Sequence, residues 1–283
     1  MQASGAILSP FTASDGENIA LRDWPLPYGA AQRGVVVLVH GLGEHAGRYE
    51  ELARRLNAWG YAVRGYDQYG HGESSGPRGG LPATARLIED LADVLESTRL
   101  RLGTRAPLIV LGHSLGGLVA AGLVARNGAG VDALVLSSPA LAAGLSGLQK
   151  LLVATLPRVA PDLAVGNGLD PRFLSHDPAV VAAYRADPLV HDRISGRLAA
   201  FIAQEGPQLV RQAGAWSVPT LLLYAGADKL VDPQGSRAFA AAAPADVVTA
   251  HCFEPLFHEI FNELEREPVF ERLRQWLGER FGA

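Results

Sequence analysis

The sequence predicts an α/β fold: a mostly parallel central sheet flanked by helices, with an inserted helical cap. Three observations lead to this fold class. Short β-branched runs alternate with amphipathic helical segments, which is typical of a parallel sheet covered on both faces. The alternation stops between about residues 139 and 207 and resumes at residue 218. A length of 283 residues fits one large domain that carries an insertion.

The predicted elements follow in order from the N-terminus. Residues 6–24 alternate in polarity around an Asp15-Gly16 pair, which predicts a β-hairpin. The segment 35–40 is β-branched and bounded by glycines, so it predicts a buried strand. Further strands are predicted at 61–66, 107–112, 131–137, 218–224 and 247–252, and helices at 49–59, 87–98, 115–125, 234–242 and 269–281.

Residues 140–208 are predicted to form the cap, between the core segments 1–139 and 209–283. This stretch has scattered prolines and helical fragments but no buried β run. Within it, residues 145–159 place leucine and valine near helical spacing. Two alternatives are open for this helix. Its apolar face meets acyl chains or makes transient contact with a membrane surface, or the helix packs on the core.

Composition excludes several functional classes. A hydrophobic share of 48% supplies a packed core, so the chain is not intrinsically disordered. A net charge of −4 without a basic run argues against a nucleic-acid partner. The single cysteine, Cys252, excludes an internal disulfide and disfavours a cysteine zinc site. Because no signal-peptide pattern or bilayer-length apolar run is found, we expect a cytoplasmic protein; no pattern predicts its oligomeric state.

A G-x-S-x-G motif at 112–116 is the strongest chemical signal. It directly follows a predicted strand and opens a predicted helix, as a nucleophile elbow requires. In such a turn Ser114 holds its hydroxyl exposed above the sheet, and the glycines allow close backbone approach. The alternative is a glycine-rich turn capped by serine, and the partners of Ser114 described next favour a nucleophile.

The loop at 40–43, His-Gly-Leu-Gly, follows the first buried strand and can aim a backbone N–H at the same site. The predicted oxyanion hole consists of the N–H groups of Leu42 and Leu115, the latter directly after the nucleophile. His40 is expected to hold this loop by hydrogen bonds rather than to act as a base.

A serine nucleophile needs a base and a carboxylate that orients the base. Asp228 follows the predicted strand 218–224, and His258 follows the predicted strand 247–252. The chain order Ser114, Asp228, His258 and their positions at the carboxyl ends of strands are typical of a hydrolytic triad on an open α/β sheet.

Other polar residues are weaker candidates for the triad. Asp232 is expected to cap the following helix, and Asp67 is expected to stabilise a turn. His251 lies within a predicted strand, where packing would fix its ring. His113 adjoins the nucleophile but is expected to point away from it, and His176 is expected to be a polar residue of the cap.

Six segments resemble the monoacylglycerol lipase and lysophospholipase-like family of serine α/β hydrolases. They are the oxyanion-loop block 40–49, the block 67–74, the elbow 112–117, the cap element 184–190, the segment 226–233 and residues 258–259. The resemblance covers nearly the whole chain, and the first block is its more specific part. It implies an α/β-hydrolase fold with a mobile cap.

The resemblance implies a serine hydrolase that cleaves carboxylic esters of fatty acids through an acyl-enzyme. Monoacylglycerols are the first substrate class, the partner is a small acyl ester or lipid, and no cofactor or metal is needed. By motif match, the catalytic residues are Ser114, Asp228 and His258, the oxyanion hole is formed by Leu42 and Leu115, and the substrate-binding residues are Glu44, Arg48 and Tyr184.

Two departures from the family pattern bear on the substrate. An acidic stretch at 259–267 is longer than the family pattern leads us to expect, and the cap matches only in patches. Lysophospholipase, general esterase and peptidase activities are therefore alternatives within the same fold. A non-enzymatic ligand receptor is a further alternative, which the intact triad disfavours.

Overall fold

The structure is a computed structural model that describes residues 5–102, 106–126, 130–142 and 159–282. The helix predicted at 145–159 lies outside the described residues except for its last position, so both alternatives for its apolar face stay open. In the described parts of the chain, no helix is both long and apolar enough to cross a membrane.

An eight-stranded sheet forms the centre of the fold. The described residues form ten strands, of which β7 and β8 lie outside this sheet. In chain order they are β1 (Ile7–Thr12), β2 (Asn18–Trp24), β3 (Gly34–Val39), β4 (Tyr61–Tyr66), β5 (Leu108–His113), β6 (Ala133–Ser137), β7 (Ala164–Gly166), β8 (Arg193–Ser195), β9 (Thr220–Ala225) and β10 (Val248–Phe253). The order across the large sheet is β1-β2-β4-β3-β5-β6-β9-β10. The predicted hairpin, β1 and β2, joins the sheet antiparallel, and every pairing from β4 to β10 is parallel. The mostly parallel α/β prediction is therefore confirmed.

Helices cover both faces of this sheet. The α-helices in the described parts of the chain are α1 (Glu50–Ala58), α2 (Arg86–Leu102), α3 (Leu115–Ala125), α4 (Pro178–Ala186), α5 (Gly196–Gln212), α6 (Pro233–Ala242) and α7 (Glu267–Phe281), of which α4 lies in the predicted cap region. On one face, α3, α5 and α6 contribute Leu118, Phe201 and Phe239 to a buried hydrophobic cluster. On the other face, α1 and α7 contribute Leu56 and Phe270 to a second cluster. The sheet thus lies between two hydrophobic cores.

The strand β3 shows why the central strands appear in the sequence as unbroken apolar runs. Val35, Val37 and Val39 face the cluster under α3, whereas Val36 and Leu38 face the cluster under α1. All five side chains are buried, because a parallel strand with both faces covered needs apolar residues at every position. The parallel strands also bring their carboxyl ends to one edge of the sheet, where polar loop residues meet.

The region predicted as a helical cap also contains two short strands in its described part. β7 and β8 pair antiparallel as a separate two-stranded sheet. Each strand has only three residues, which is too short for an alternating pattern to predict.

The cap boundary predicted at residue 208 falls inside the continuous helix α5. The helix contains Pro207, and an interior proline removes one helical hydrogen bond and clashes with the preceding turn. Buried Leu198 and Phe201 precede the proline and buried Leu209 follows it, so both halves of α5 are anchored to the core. This packing offsets the local cost and carries the helix through the proline.

Candidate active site

The turn between β5 and α3 holds Ser114 in a strained backbone conformation. Its φ is 53° and its ψ is −117°, in a region that side-chain-bearing residues rarely adopt. A Cβ on Gly112 would lie 2.4 Å from the carbonyl oxygen of Gly116, and one on Gly116 would lie 2.1 Å from that of Val39. The N–H of Ser114 donates to the carbonyl oxygen of Ser137 at 3.0 Å. Gly112 and Gly116 therefore allow the close backbone contacts of this turn, and a hydrogen bond to β6 holds it in place.

The loops after β9 and β10 bring Asp228 and His258 together. Nδ1 of His258 lies 2.6 Å from Oδ2 of Asp228. Oδ1 of the same carboxylate accepts from the N–H groups of Leu230 at 2.8 Å and Val231 at 3.0 Å. Ser114 and His258 line the same cavity. Because Nδ1 of His258 is hydrogen-bonded to Asp228, Nε2 is the ring atom that can exchange a proton with Ser114.

Buried charges set the protonation of this pair. Burial by itself would lower the pKa of His258, but Asp228, followed by Glu259 and Glu44, raises it above its usual value. Burial would likewise raise the pKa of Asp228, yet His258 and two backbone N–H groups hold it below its usual range. Asp228 is therefore ionised at neutral pH and can stabilise a protonated His258.

His113 is a neutral neighbour of this base. The centres of the His113 and His258 rings are 4.7 Å apart. Burial, followed by the proximity of His258, lowers the pKa of His113 to about 4. Nδ1 of His113 lies 3.1 Å from the hydroxyl oxygen of Ser137, so its ring is held on the side of β6.

His40 secures the loop that carries Leu42. Nε2 of His40 accepts from the N–H of Gln68 at 2.9 Å, so its proton lies on Nδ1, which is 2.8 Å from the carbonyl oxygen of Gly41. This arrangement agrees with the loop-holding role predicted for His40. Leu42 and Leu115 both line the cavity beside the nucleophile. Leu115 is the first residue of α3, so its N–H has no acceptor within the helix.

A buried ion cluster of Glu44, Arg48 and Glu259 lies behind the oxyanion loop. Oε1 of Glu44 accepts from the N–H of Gly41 at 2.6 Å. Nη1 of Arg48 lies 2.5 Å from Oε2 of Glu44 and 2.7 Å from Oε1 of Glu259. The guanidinium carbon of Arg48 also lies 4.7 Å from the ring centre of Tyr184. The positive charge of Arg48 is therefore balanced by two buried carboxylates, those of Glu44 and Glu259.

The three predicted substrate-binding residues have different positions. Burial would raise the pKa of Glu44, but Arg48 and other neighbours lower it to about 2, so this carboxylate is ionised. Glu44 and Tyr184 line a small cavity together with Ser114 and His258. Arg48 lines a neighbouring small cavity instead. Two of the three residues thus share a cavity with Ser114, and Arg48 contacts both of them.

A cavity of about 310 Å³ opens beside Ser114. Most of its wall is apolar and comes from loops and helices that are far apart in the sequence. Leu169, Phe173, Ile194 and Ile202 from the predicted cap region and Leu230 from the core are part of this wall. Apolar walls with the reactive groups at one end suit an acyl chain.

Other polar groups near this edge of the sheet have structural roles. Asp232 caps α6 by accepting from the N–H of Gln234 at 2.9 Å, as predicted. Asp67 accepts from the N–H groups of Ala46 at 2.8 Å and Glu73 at 2.9 Å, so its predicted role in a turn is confirmed. Within the residues that the structure describes, no cluster of histidine, cysteine and carboxylate side chains is arranged to hold a metal ion.

Two buried carboxylates after His258, Glu259 and Glu263, were not among the predicted site residues. Glu259 binds Arg48, as described above. Glu263 is only 1% exposed and accepts from the N–H of Phe257 at 2.6 Å. The unexpectedly long acidic stretch was the signal that could have found them, since it contains charges that fold into the protein.

Comparisons with known proteins identify the family and the fold of the chain. The family described as Hydrolase_4, serine aminopeptidase S33, matches residues 30–265. A monoacylglycerol lipase of Mycolicibacterium smegmatis is 38% identical over 257 residues, which cover 87% of this chain and 88% of that protein. Phospholipase YtpA of Bacillus subtilis is 31% identical over 244 residues, covering 85% and 93%. The crystal structure of a monoacylglycerol lipase of Paleococcus ferrophilus superposes with a TM-score of 0.80 at 34% identity, covering 98% and 99%.

Proposed function

The chain belongs to the serine aminopeptidase S33 family of α/β hydrolases, and from that premise we propose that it cleaves fatty-acyl carboxylic esters, with monoacylglycerols as the first substrate class. The observation that carries the proposal is a serine at a strained elbow that lines the same cavity as His258, whose Nδ1 is hydrogen-bonded to Asp228. The relatives named monoacylglycerol lipase support the substrate class.

The first half of the reaction forms an acyl-enzyme. Nε2 of His258 takes the proton of the Ser114 hydroxyl as the oxygen attacks the ester carbonyl. The negative charge that develops on the carbonyl oxygen is stabilised by the N–H groups of Leu42 and Leu115. Asp228 stabilises the protonated His258, which then donates its proton to the leaving alcohol.

The second half of the reaction releases the fatty acid. His258 removes a proton from water, and the hydroxide attacks the acyl group on Ser114. The same two backbone N–H groups stabilise the second oxyanion. The proton then returns from His258 to Ser114, so the enzyme is restored and ester plus water give acid plus alcohol.

The two cavities beside Ser114 suit the two parts of the substrate. The apolar cavity of about 310 Å³ is assigned to the acyl chain. The small cavity lined by Glu44 and Tyr184 is assigned to the alcohol. Residues 140–208 are assigned to a cap over the site, because several walls of the acyl cavity lie in this range. Contact of this cap with a membrane surface stays a prediction.

The relative named phospholipase makes lysophospholipids the second candidate substrate class. A lysophospholipid carries an anionic phosphate next to its leaving oxygen. The ion cluster next to the small cavity assigned to the alcohol has two carboxylates, Glu44 and Glu259, but only one guanidinium, Arg48. This excess of negative charge favours a neutral alcohol over a phosphate.

The experiment measures hydrolysis of monoacylglycerols with short, medium and long acyl chains, of lysophosphatidylcholine and of an aminoacyl arylamide. We expect monoacylglycerols to give the highest kcat/KM. The variant Ser114→Ala should lose about a thousandfold or more in kcat. Ser217→Ala, an exposed serine, is the matched control and should keep wild-type rates.

Two outcomes would contradict the proposal. Equal hydrolysis by wild type and Ser114→Ala would exclude a serine mechanism at this site. Turnover of the arylamide but of no ester would identify a peptidase instead.

A further inference from the structure

We propose that Glu263 is a positioning residue: its buried carboxylate joins the loop that carries His258 to the segment 173–176 and so holds the base in place for proton transfer from Ser114. The inference rests on the proposed function, because Glu263 would act only through His258. It also assigns a purpose to the acidic stretch 259–267, which the triad does not explain.

The carboxylate of Glu263 connects two distant parts of the chain. Oε1 lies 2.6 Å from the backbone nitrogen of Phe257 and 2.8 Å from Nδ1 of His176. Oε2 lies 3.0 Å from the backbone nitrogen of His176. Glu263 is 1% exposed, and among the described residues its ion-pair partner is this histidine rather than a lysine or arginine. A buried carboxylate depends on such donors, so the connection is specific.

Backbone hydrogen bonds join the same two segments. The N–H of Glu259 donates to the carbonyl oxygen of Leu174 at 2.8 Å, and the N–H of His258 lies 3.4 Å from the carbonyl oxygen of Phe173. His258 and the residue after it are therefore hydrogen-bonded to the segment 173–176. Glu263 adds a hydrogen bond to the backbone N–H of Phe257, the residue before His258.

Aromatic contacts also connect Phe257 to the segment 173–176. The ring of His176 stacks on Phe257, with centres 3.7 Å apart and planes inclined by 21°. The ring of Phe173 meets Phe257 edge-on at 5.8 Å. Phe173 and His258 both line the acyl cavity. Glu263 thus holds one wall of the acyl cavity and the base together as a unit.

This geometry explains why Glu263 would affect catalysis and not only folding. The bond to Asp228 fixes the Nδ1 side of the His258 ring, but it leaves the backbone of the loop to be held elsewhere. Glu263 holds that backbone at Phe257, one residue before the base. A shift of the base by about 1 Å costs up to a hundredfold in rate, because proton transfer needs close alignment.

The test compares Glu263→Gln with Glu267→Gln. Glutamine has the size of glutamate, but one carboxylate oxygen becomes an amide nitrogen. That nitrogen would face either the N–H of Phe257 and Nδ1 of His176 or, in the other orientation, the backbone N–H of His176, so at least one hydrogen bond is replaced by repulsion. Glu267 lies in the same acidic stretch, bonds to Arg55 and has a 61% exposed side chain, which makes its variant the matched control.

Three quantities are measured for each variant: Tm, the kcat and KM for a small p-nitrophenyl ester, and the rate at which a fluorophosphonate labels Ser114. For folded Glu263→Gln we expect kcat and the labelling rate to fall by about tenfold or more with KM within about twofold of wild type. Glu267→Gln should match wild type. A residue with a merely structural role would change Tm without this separation of kcat from KM.

A second variant, His176→Phe, keeps an aromatic ring against Phe257 and removes the Nδ1 donor to Glu263. We expect its kcat to fall by about threefold, and this variant decides the question if Glu263→Gln does not fold. Wild-type kcat and labelling in folded Glu263→Gln, or in His176→Phe when the first variant is unfolded, would overturn the inference. If the wild-type protein itself is not labelled, the proposed function is wrong instead.

Discussion

At the scale of single residues, the charges around His258 determine the pH range in which it can act as a base. The pKa of His258 is raised by Asp228 first, and then by Glu259 and Glu44. Only the neutral imidazole accepts a proton, so kcat/KM falls as the pH drops through this raised pKa. Each nearby carboxylate therefore moves the acidic limit of activity to higher pH.

Glu259→Gln tests this electrostatic effect. The variant removes one negative charge that favours the protonated form of His258, so the pKa of His258 should fall. We expect the acid limb of the kcat/KM profile to move to lower pH by roughly half a pH unit or more. Glu271→Gln, an exposed position on α7, is the control and should leave the limb in place. Superimposable acid limbs for the two variants would contradict this account.

At the scale of elements, the position of α5 depends on a close approach to the loop after β6. A Cβ on Gly206 would lie 2.5 Å from the carbonyl oxygen of Leu141. The neighbours Ala140 and Ala142 line the acyl cavity, and so do Ala199 and Ile202 of α5. The close approach at Gly206 therefore joins two segments that both contribute to the cavity wall.

Two helical glycines give opposite predictions for the same substitution. Alanine is the better helix former, so Gly278→Ala in α7, where nothing lies within 4 Å, should stabilise the fold by up to about 1 kcal/mol. Gly206→Ala should destabilise it by about 1–3 kcal/mol, because its Cβ would overlap backbone atoms that cannot move away easily. Urea unfolding measures both values. Stabilisation by both substitutions would show that α5 does not pack as closely as described.

At the scale of the whole molecule, the acyl cavity lies between the core and the region between β6 and β9. Ser114, Leu115 and Leu230 belong to the core side, and Leu169 and Phe173 belong to the other side. An apolar chain that fills this space would contact both parts at once. Occupation of the cavity should therefore stabilise the entire fold and not only the loops of the active site.

Alkyl phosphonates attached covalently to Ser114 test this prediction. A long-chain adduct buries its methylenes in the folded protein and exposes them on unfolding, and each buried methylene contributes about 0.8 kcal/mol. We expect Tm to rise by roughly 1–2 °C per buried methylene relative to a methylphosphonate adduct. The methyl adduct controls for the covalent reaction itself. Equal Tm values for the two adducts would mean that the chain lies outside the cavity.

Local patterns account for the parts of the fold that could be predicted. Buried parallel strands need apolar residues at every position, so segments such as 35–40 are recognisable without knowledge of their neighbours. The G-x-S-x-G motif is also local, because the elbow around Ser114 needs glycines within a few residues. Asp228 and His258 were identified from their order and their positions after strands, and the structure places them 2.6 Å apart.

The sequence by itself therefore determined the fold class, the elbow and the candidate triad, since each depends on contacts within a short segment or on strand order. Only the tertiary structure decided the continuation of α5 through Pro207, the Glu44–Arg48–Glu259 cluster and the partners of Glu263. Arg48 and Glu259 are 211 positions apart, and Glu263 and His176 are 87 positions apart. The physical reason is burial: a charged residue looks like a surface residue in the sequence until folding encloses it with a distant partner.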